Sequence, residues 1–363
     1  MYDHAVSTVS AESRVRSVAV IGASGYTGAE LLRLVAQHPS FRLVAATGDS
    51  QAGSLAATLY PSLTAAYPDL VFSEFDPDAV DGVDVVFLGL PHEASMELVP
   101  QLEGRVGCIV DLSAAYRLKD ASLYPQWYGF QHDQPAALGR AVFGLPELYR
   151  EHIAGASLVA TPGCHVTAAT LALAPLVAAG LVEPTGIVVD SITGVSGAGR
   201  ALKHSSQFCT ADEDVQAYGL LDHRHTPEIE QVLTEALVAG GGSGACQVLF
   251  TPHLAPLNRG ILATCYARPT GPTSSEQLLA AMARHYRDEP FVVVRPASPS
   301  TKAAMGTNTS FLTARYDERT GTVVAICAID NLCKGASGGA VQAANVALGI
   351  DETAGLQKVG LFP

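Results

Sequence analysis

The sequence lacks any apolar run as long as the roughly 18 residues that a membrane-spanning helix needs, and residues 1–14 lack the apolar core of a secretory signal. Basic residues are also scarce, since 22 Lys and Arg against 35 Asp and Glu leave a formal net charge of −13. This balance disfavours nucleic acid and anionic membranes as partners, so an anionic substrate needs a local group of cations. We therefore expect a cytoplasmic protein with a flexible tail over residues 1–14.

The seven cysteines are scattered, and no CxxC pair suggests a zinc site or a disulfide framework. Most stand in apolar runs, where a thiol is usually a small buried hydrophobic group, and reduced thiols fit a cytoplasmic protein. Cys164 differs, because it follows Pro162 and Gly163 at the predicted start of a helix. A helix N-terminus stabilises a thiolate and lowers its pKa, so Cys164 is a candidate nucleophile. The alternative is a buried cysteine that caps the helix.

The chain has 363 residues, which is long enough for two domains, and its 48% of hydrophobic residues can fill large cores. Apolar strand segments alternate with helical segments up to about residue 160. This alternation predicts an α/β domain with a Rossmann-type, doubly wound parallel sheet. The predicted strands are Val15–Ile21, Arg42–Thr47, Val83–Leu88 and Cys108–Leu112.

The first predicted strand runs into Gly22, Gly25 and Gly28, and a helical segment follows. In this context the glycines let the backbone approach a pyrophosphate, to which the helix N-terminus offers free N–H groups. We therefore predict a dinucleotide site here, although an ordinary tight β–α turn would show the same glycines. The residues between the glycines that would contact the dinucleotide are Ser24, Tyr26 and Thr27.

Two more segments follow strands at places where cofactor-contacting loops usually lie. Asp49 and Ser50 end the second strand, and Pro91 and His92 follow the third. Asp49 would bond a ribose 2′-hydroxyl and favour NAD, whereas Ser50 with the nearby backbone would hold a 2′-phosphate and favour NADP. The residues leave both cofactors open.

After about residue 160 the strands become half-alternating, which is typical of a mixed sheet with one buried face. These strands and the helices between them predict a second, α+β domain. A last helix, Ala340–Leu348, follows Asn331, Lys334 and Gly335. The predicted strands of the second domain are Ile187–Ile192, Gln247–Thr251, Ile261–Ala267, Phe291–Arg295, Thr309–Tyr316 and Val323–Ile329.

Histidine is densest at His223 and His225, which flank Arg224 just before Glu228. No third strong ligand is near and Arg224 would repel a cation, so we predict no metal here. A thiolate beside a dinucleotide site suits acyl transfer coupled to hydride transfer, which needs a proton donor such as histidine. The alternative is a polar helix N-terminus without catalytic function.

Seven segments of the chain together resemble the N-acetyl-γ-glutamyl-phosphate reductases, a family related to the aspartate-semialdehyde and glyceraldehyde-phosphate dehydrogenases. Each motif alone is modest, but seven in the right order from Val15 to near the C-terminus are highly specific. The segments are GASGYTGAELLRL, DLSAAYRLKD, TPGC, SGAGR, HRHTPEIEQ, FTPHLAPLNRGI and DNLCKGASGGAVQAAN.

The resemblance implies NADPH-dependent reduction of N-acetyl-γ-glutamyl phosphate to the γ-semialdehyde with release of phosphate, a step of arginine biosynthesis. It implies Cys164 as the nucleophile that forms a thioester and His225 as the acid/base. It also implies that the last helix returns to the Rossmann domain. The first domain would then comprise residues 15–160 and 331–363, and residues 161–330 would form the catalytic and oligomerisation domain of a homodimer or homotetramer.

The resemblance, together with the chemistry of the side chains, predicts the remaining site residues. The predicted substrate-binding residues are Arg117, Ser196, Gly197, Arg200, His223 and Glu228. The predicted cofactor-binding residues are Gly22, Ser24, Gly25, Tyr26, Thr27, Gly28, Ser50, Pro91, His92, Asn331, Lys334 and Gly335. For Lys334 a plain surface position is the alternative.

The chain departs from the family pattern at His165-Val166, where Tyr-Pro is usual, and at Ala115, where an acid is usual. Three alternatives therefore stay open: an aspartate-semialdehyde dehydrogenase, a reductase of carrier-protein-bound aminoadipyl or glutamyl phosphate, and a Rossmann-type binder without turnover. The carrier-dependent reductase would need a basic docking surface, which a net charge of −13 disfavours.

Overall fold

The structure is a computed structural model that describes residues 14–362. The tail predicted over residues 1–14 therefore lies outside the described residues, except for Arg14. Within the described range, no helix combines the length and the apolar character that crossing a bilayer would require.

Except for the edge strand Phe41–Ala46, which has exposed residues, the first sheet is built from short, largely buried apolar strands, as expected for a parallel sheet that is covered on both faces. Its strands are β1 (Arg16–Ile21), β2 (Phe41–Ala46), β3 (Val85–Leu88), β4 (Cys108–Asp111), β5 (Val142–Phe143) and β6 (Leu158–Ala160). Within residues 14–362 this sheet has six parallel strands in the order β2–β1–β3–β4–β6–β5. The predicted Rossmann-type sheet is confirmed.

The strand order reverses direction between β1 and β3, and a crevice at such a point is where this fold binds ligands. Gly22 follows β1 and Gly89 follows β3, so both lie at this crevice. The helices of this part of the chain are α1 (Tyr26–Gln37), α2 (Ala56–Leu59), α3 (His92–Leu102), α4 (Tyr124–Tyr128), α5 (Pro135–Arg140) and α6 (Pro146–Ile153).

The second domain begins with the long helix α7 (Cys164–Ala178), which packs against α9 (His225–Ala239) and the second sheet. Its other helices are α8 (Phe208–Ala211), α10 (Ser275–His285) and α11 (Thr301–Ala304). Its strands are β7 (Ile187–Gly194), β8 (Gln216–Ala217), β9 (Val248–Ala255), β10 (Ile261–Ala267), β11 (Val292–Val294), β12 (Ser310–Asp317) and β13 (Thr322–Ile329).

Among the described residues the second sheet has seven strands in the order β11–β12–β13–β10–β7–β9–β8. The pairs β7–β9 and β11–β12 are parallel and the others antiparallel, so the predicted mixed sheet is confirmed. Along β7, β9 and β10, buried residues alternate with more exposed ones, because only one face of the sheet packs on α7.

The last helix, α12 (Gly338–Ala347), packs into the core of the first sheet, as the resemblance implies. A short π-helical turn, Cys333–Ser337, precedes it. Phe291 of the second domain also joins the first core. The predicted second domain, residues 161–330, therefore contributes a side chain to the core of the first domain.

Candidate active site

A cavity of about 310 Å³ lies between the glycine-rich turn of the first domain and the start of α7 in the second. We call this cavity the cleft. It brings together many of the residues predicted from distant parts of the sequence. The predicted residues that line it are Gly25, Tyr26, Thr27, His92, Arg117, Cys164, Ser196, Gly197, Arg200, His225, Asn331 and Gly335.

Cys164 is the first residue of α7, with Gly163 at the N-cap in an extended conformation, so the half-buried thiol faces the cleft. Gly335 lies against it, and a Cβ at Gly335 would come within 2.9 Å of the Cys164 Cβ. Burial raises the pKa of the Cys164 thiol to about 11, although the Arg117 guanidinium and the His165 backbone amide act in the opposite direction. The lowered pKa expected from the helix terminus is therefore corrected, because desolvation outweighs it.

His225 is the first residue of α9 and is buried beside Gly163, the residue before Cys164. A Cβ at Gly163 would lie only 2.2 Å from its Nε2, so the absence of a side chain at Gly163 makes room for this imidazole. Burial, with the neighbouring His223 and His165, lowers its pKa well below the usual range. His225 is therefore neutral at pH 7, and it lines the cleft together with Cys164.

Arg117 and Glu228 form a buried ion pair across the cleft, with 3.2 Å between Arg117 Nη1 and Glu228 Oε1. The other oxygen, Oε2, accepts a hydrogen bond from the Gly163 N–H at 3.0 Å. Tyr128 donates its hydroxyl to Oε1 at 2.7 Å. Glu228 therefore fixes the turn that carries Cys164, a role that the sequence did not predict, while Arg117 faces the cleft.

The turn after β1 fits a dinucleotide. Gly22 has φ +81°, and a Cβ there would come within 2.4 Å of the Gly89 carbonyl oxygen. A Cβ at Gly28 would lie 2.5 Å from the Ala23 backbone, so only glycine lets α1 start this close to the strand. At Gly25 the nearest atom would be 3.7 Å away, which leaves the backbone open towards the cleft. Together these features suit a pyrophosphate at the N-terminus of α1.

Ser196, Gly197 and Asn331 are brought together opposite that turn. The Asn331 amide nitrogen donates to Ser196 Oγ at 3.0 Å, and its oxygen accepts from the Gly260 N–H at 2.7 Å. Asn331 therefore ties the start of the last helical segment to the SGAGR loop. Arg200 of that loop lines the cleft, and its buried Nε has no partner within the described part of the chain.

Tyr26, Ser196 and Arg200 also border a second cavity of about 480 Å³ along α1, which adjoins the cleft. Glu30, Arg33 and Arg259 form ion pairs at its edge, which no sequence pattern indicated.

Of four further predicted residues, His92 lines the cleft, whereas Ser24, Ser50 and Pro91 do not. His92 accepts from the Ala114 N–H through Nδ1 and lies 2.6 Å from an Arg224 nitrogen through Nε2. Ser50 and Pro91 are exposed, and neither borders the cleft. Ser24 donates its hydroxyl to the Gly48 carbonyl and so joins the glycine turn to the segment before Ser50.

Lys334 does not reach the cleft, and neither predicted position agrees with the structure. Its side chain is fully buried, and Nζ lies 2.5 Å from Glu147 Oε1 and 2.6 Å from Gln342 Oε1. The π-helical turn that contains Lys334 directs its ammonium into the core below the helices, so Lys334 neither lines the cleft nor lies at the surface.

Comparison with known proteins places this geometry in a family. A family model described as "Semialdehyde dehydrogenase, NAD binding domain" matches residues 17–156, and "Semialdehyde dehydrogenase, dimerisation domain" matches residues 164–331. N-acetyl-gamma-glutamyl-phosphate reductase of Desulforudis audaxviator is 47% identical, over 95% of this chain and 99% of that protein. The protein of the same name from Symbiobacterium thermophilum is 46% identical, over 94% of this chain and 98% of that protein.

The chain belongs to the N-acetyl-γ-glutamyl-phosphate reductase family. Among solved structures, aspartate semialdehyde dehydrogenase II of Vibrio cholerae, complexed with ASA, has a TM-score of 0.67 at 17% identity, covering 93% of this chain and 99% of that one. The Candida albicans aspartate semialdehyde dehydrogenase with NADP has a TM-score of 0.64 at 16% identity, covering 92% and 99%. These two similarities concern the fold. Like the rest of the family, the protein is an oxidoreductase with a nicotinamide-cofactor domain and a dimerisation-type domain.

Proposed function

We propose that the protein reduces N-acetyl-γ-glutamyl phosphate to N-acetylglutamate γ-semialdehyde and phosphate through a thioester on Cys164, as a step of arginine biosynthesis. The observation that carries the proposal is the placement of Cys164 and His225 on either side of Gly163, in the cleft that begins at the glycine turn. The names of relatives that are 46% and 47% identical over almost the whole chain support this substrate.

The first part of the reaction is acyl transfer to sulfur. Because the pKa of the Cys164 thiol is about 11, the thiol needs a base at neutral pH, and the neutral His225 takes its proton. The thiolate attacks the γ-carbonyl carbon, and the C–O bond to phosphate breaks with its electron pair on the phosphate. Arg117 and Arg200 carry cations that face the cleft and hold the anionic substrate.

A bound nicotinamide cofactor supplies the hydride that reduces the thioester. The residues that hold the cofactor are those of the Gly22–Gly28 turn, with Asn331 and Gly335 at the other side of the cleft. As the aldehyde forms, the C–S bond breaks and His225 returns its proton to the leaving sulfur.

NADPH is the proposed reductant. Ser50 and the backbone after β2 are the proposed contacts of the 2′-phosphate, and the solved structure of the Candida albicans neighbour is a complex with NADP. Ser50→Glu would place a like charge near that phosphate. We expect this variant to lose its preference for NADP⁺ over NAD⁺ in the reverse reaction, with kcat for NAD⁺ retained.

We propose a cytoplasmic homodimer or homotetramer. Two observations support this: all seven cysteines are free thiols, and residues 164–331 match a dimerisation-type domain. Light scattering across a dilution series tests the oligomeric state.

The activity is tested in reverse, with purified protein, NADP⁺, phosphate and each aldehyde in turn. We expect N-acetylglutamate γ-semialdehyde to be oxidised with the highest kcat/KM, and Cys164→Ala to abolish phosphate-dependent NADP⁺ reduction. Faster turnover of aspartate semialdehyde would instead assign the aspartate enzyme's reaction. Full activity in Cys164→Ala would disprove the thioester route.

A further inference from the structure

His165, the residue at which the chain departs from its family pattern, is 1% exposed and uses both ring nitrogens. Its Nδ1 lies 2.7 Å from Ser191 Oγ on β7, and its Nε2 lies 3.0 Å from the Tyr218 hydroxyl. Burial and the neighbouring His223 and His253 lower the pKa of His165 to about 3. The ring is therefore neutral at pH 7, so one nitrogen donates a hydrogen bond and the other accepts one.

Ser191 determines which nitrogen donates. Its side chain is 0% exposed, and within residues 14–362 its hydroxyl has no hydrogen-bond partner other than His165. If Nδ1 carried the proton, the Ser191 O–H would be buried without an acceptor, which costs free energy. The favoured arrangement has Ser191 donating to Nδ1, and the Nε2–H donating to the Tyr218 oxygen.

In that arrangement the Tyr218 hydroxyl keeps its own proton for another acceptor. Tyr218 borders a cavity of about 330 Å³, which we call the acyl pocket. The acyl pocket shares Cys164 and His225 with the cleft but does not include the glycine turn, so it extends from the sulfur away from the cofactor side. Two cationic residues, Lys203 and Arg224, also border it.

We infer that the Ser191–His165–Tyr218 chain is a hydrogen-bond relay that fixes Tyr218 as a donor to the carboxylate of the substrate. The inference rests on the proposed function for the identity of that substrate. The cations beside Tyr218 favour a carboxylate over the uncharged acetamide as the acceptor. His165 also borders the acyl pocket, but Ser191 and Tyr218 occupy both of its ring nitrogens, so it acts as a positioning residue and Tyr218 contributes to specificity.

The direction of the relay is tested without substrate. ¹⁵N NMR of histidine-labelled protein, with the His165 signals assigned by their loss in His165→Gln, reports which nitrogen carries the proton. We expect a neutral ring protonated at Nε2. In Ser191→Ala the donor to Nδ1 is gone, and we expect a mixture of both tautomers. A ring protonated at Nδ1, or a charged ring, in the wild type would overturn the relay.

The role of Tyr218 is tested with three aldehydes in the reverse reaction: N-acetylglutamate γ-semialdehyde, its analogue without the carboxylate, and its analogue without the acetamido group. Loss of one hydrogen bond to a charged group costs about 10- to 100-fold in affinity. We expect Tyr218→Phe to lower kcat/KM by that factor for the two aldehydes that keep the carboxylate, and by less than about 3-fold for the third.

The His165 variants separate positioning from general support of the core. The Gln amide can place an N–H near the Nε2 position, whereas Asn reaches only the Nδ1 position. We therefore expect His165→Gln to keep most of the carboxylate preference and His165→Asn to lose it as Tyr218→Phe does. If Tyr218→Phe lowers kcat/KM equally for all three aldehydes, Tyr218 acts at the reacting carbon. If the loss instead depends on the acetamido group, Tyr218 donates to the acetamide. Either result refutes the inference. If the wild type oxidises none of the aldehydes, the proposed function fails, while the NMR result still decides the relay.

Discussion

Each of two buried ion pairs joins a basic residue of a family motif to a glutamate, but only one of the two basic residues faces the cleft. The cleft ion pair joins Arg117 to Glu228 at 3.2 Å, and the interior ion pair joins Lys334 to Glu147 at 2.5 Å. Arg117 lines the cleft and its Nε has no partner within the described range. Lys334 is 0% exposed, and Gln342 shares its ammonium with Glu147.

The difference shows that a family motif can contain residues that stabilise the fold as well as residues that line the site. The cleft ion pair connects the two domains and, through Glu228, holds the Gly163 N–H beside the nucleophile. The interior ion pair anchors the last helical segment to α6 within the first domain. We therefore expect the interior pair to determine stability and the cleft pair to determine turnover.

The largest expected effect is on the interior ion pair. Lys334→Met leaves Glu147 as an unpaired buried charge, and breaking one partner of a buried pair costs about 3–5 kcal/mol. We expect the free energy of unfolding in urea to fall by that amount, with kcat/KM of the folded fraction within about 2-fold of wild type. Lys334→Met combined with Glu147→Met should recover most of the stability. A loss of activity in a stable Lys334→Met protein would contradict the comparison.

The next effect concerns the turn held by the cleft ion pair. Gly163→Ala places a Cβ 2.2 Å from His225 Nε2, so the imidazole must move. A misplacement of this size costs about 100-fold in kcat. The matched control is Gly139→Ala in α5, where a Cβ meets nothing within 4 Å and alanine favours the helix. We expect the control to keep full activity; if Gly163→Ala does so too, the predicted position of His225 is wrong.

A smaller loss of activity is expected for Glu228→Gln. The amide would keep its oxygen for Arg117 and Tyr128 but turn an N–H towards the Gly163 N–H, so one charge-assisted hydrogen bond is lost. Such a bond is worth about 10- to 100-fold. Glu147→Gln is the paired control, since it changes the interior ion pair in the same way and should leave kcat/KM within about 3-fold. Similar activity losses in both would remove the distinction between the pairs.

Per pH unit, the smallest effect is on acid stability. His165 and His223 have pKa values lowered by burial to about 3 and about 4, so they stay neutral in the folded protein while the unfolded chain binds protons below about pH 6.5. Each histidine therefore removes up to about 1.4 kcal/mol of stability per pH unit as the pH falls below about 6.5, until its lowered pKa is reached.

The interior ion pair loses its contribution to stability only at lower pH. Although burial alone would raise it, the Lys334 ammonium holds the pKa of Glu147 below its usual range, so protonation removes stability only below about pH 4.5. Urea unfolding at a series of pH values separates the two. We expect His165→Gln to reduce the slope between pH 6.5 and 4.5, and an unchanged slope in that range would show that His165 is not buried neutral.

The sequence predicted most of the elements, because the period of apolar residues and the glycine turns are local signals. The last predicted helix nevertheless began late, because α12 starts at Gly338 rather than at Ala340. Gly338 and Gly339 open this helix, and glycine does not continue the apolar period that marks a helix in sequence.

The site itself was only partly predictable. Cys164 and His225 could be named because they stand in motifs, but Tyr128 and Tyr218 had no local signal. Each of these tyrosines acts through a partner about 50 or 100 residues away, and such pairings exist only in the folded chain.

The sequence by itself determined the two sheets, the glycine turn and the position of Cys164 at the start of a helix, since each depends on residues close together in the chain. The tertiary structure alone decided how charges behave. Burial raises the pKa of the Cys164 thiol and lowers those of the histidines around it, and the fold places Lys334 in the core beside Glu147 rather than in the cleft. The physical reason is that desolvation depends on every atom packed around a group, and no stretch of sequence contains that information.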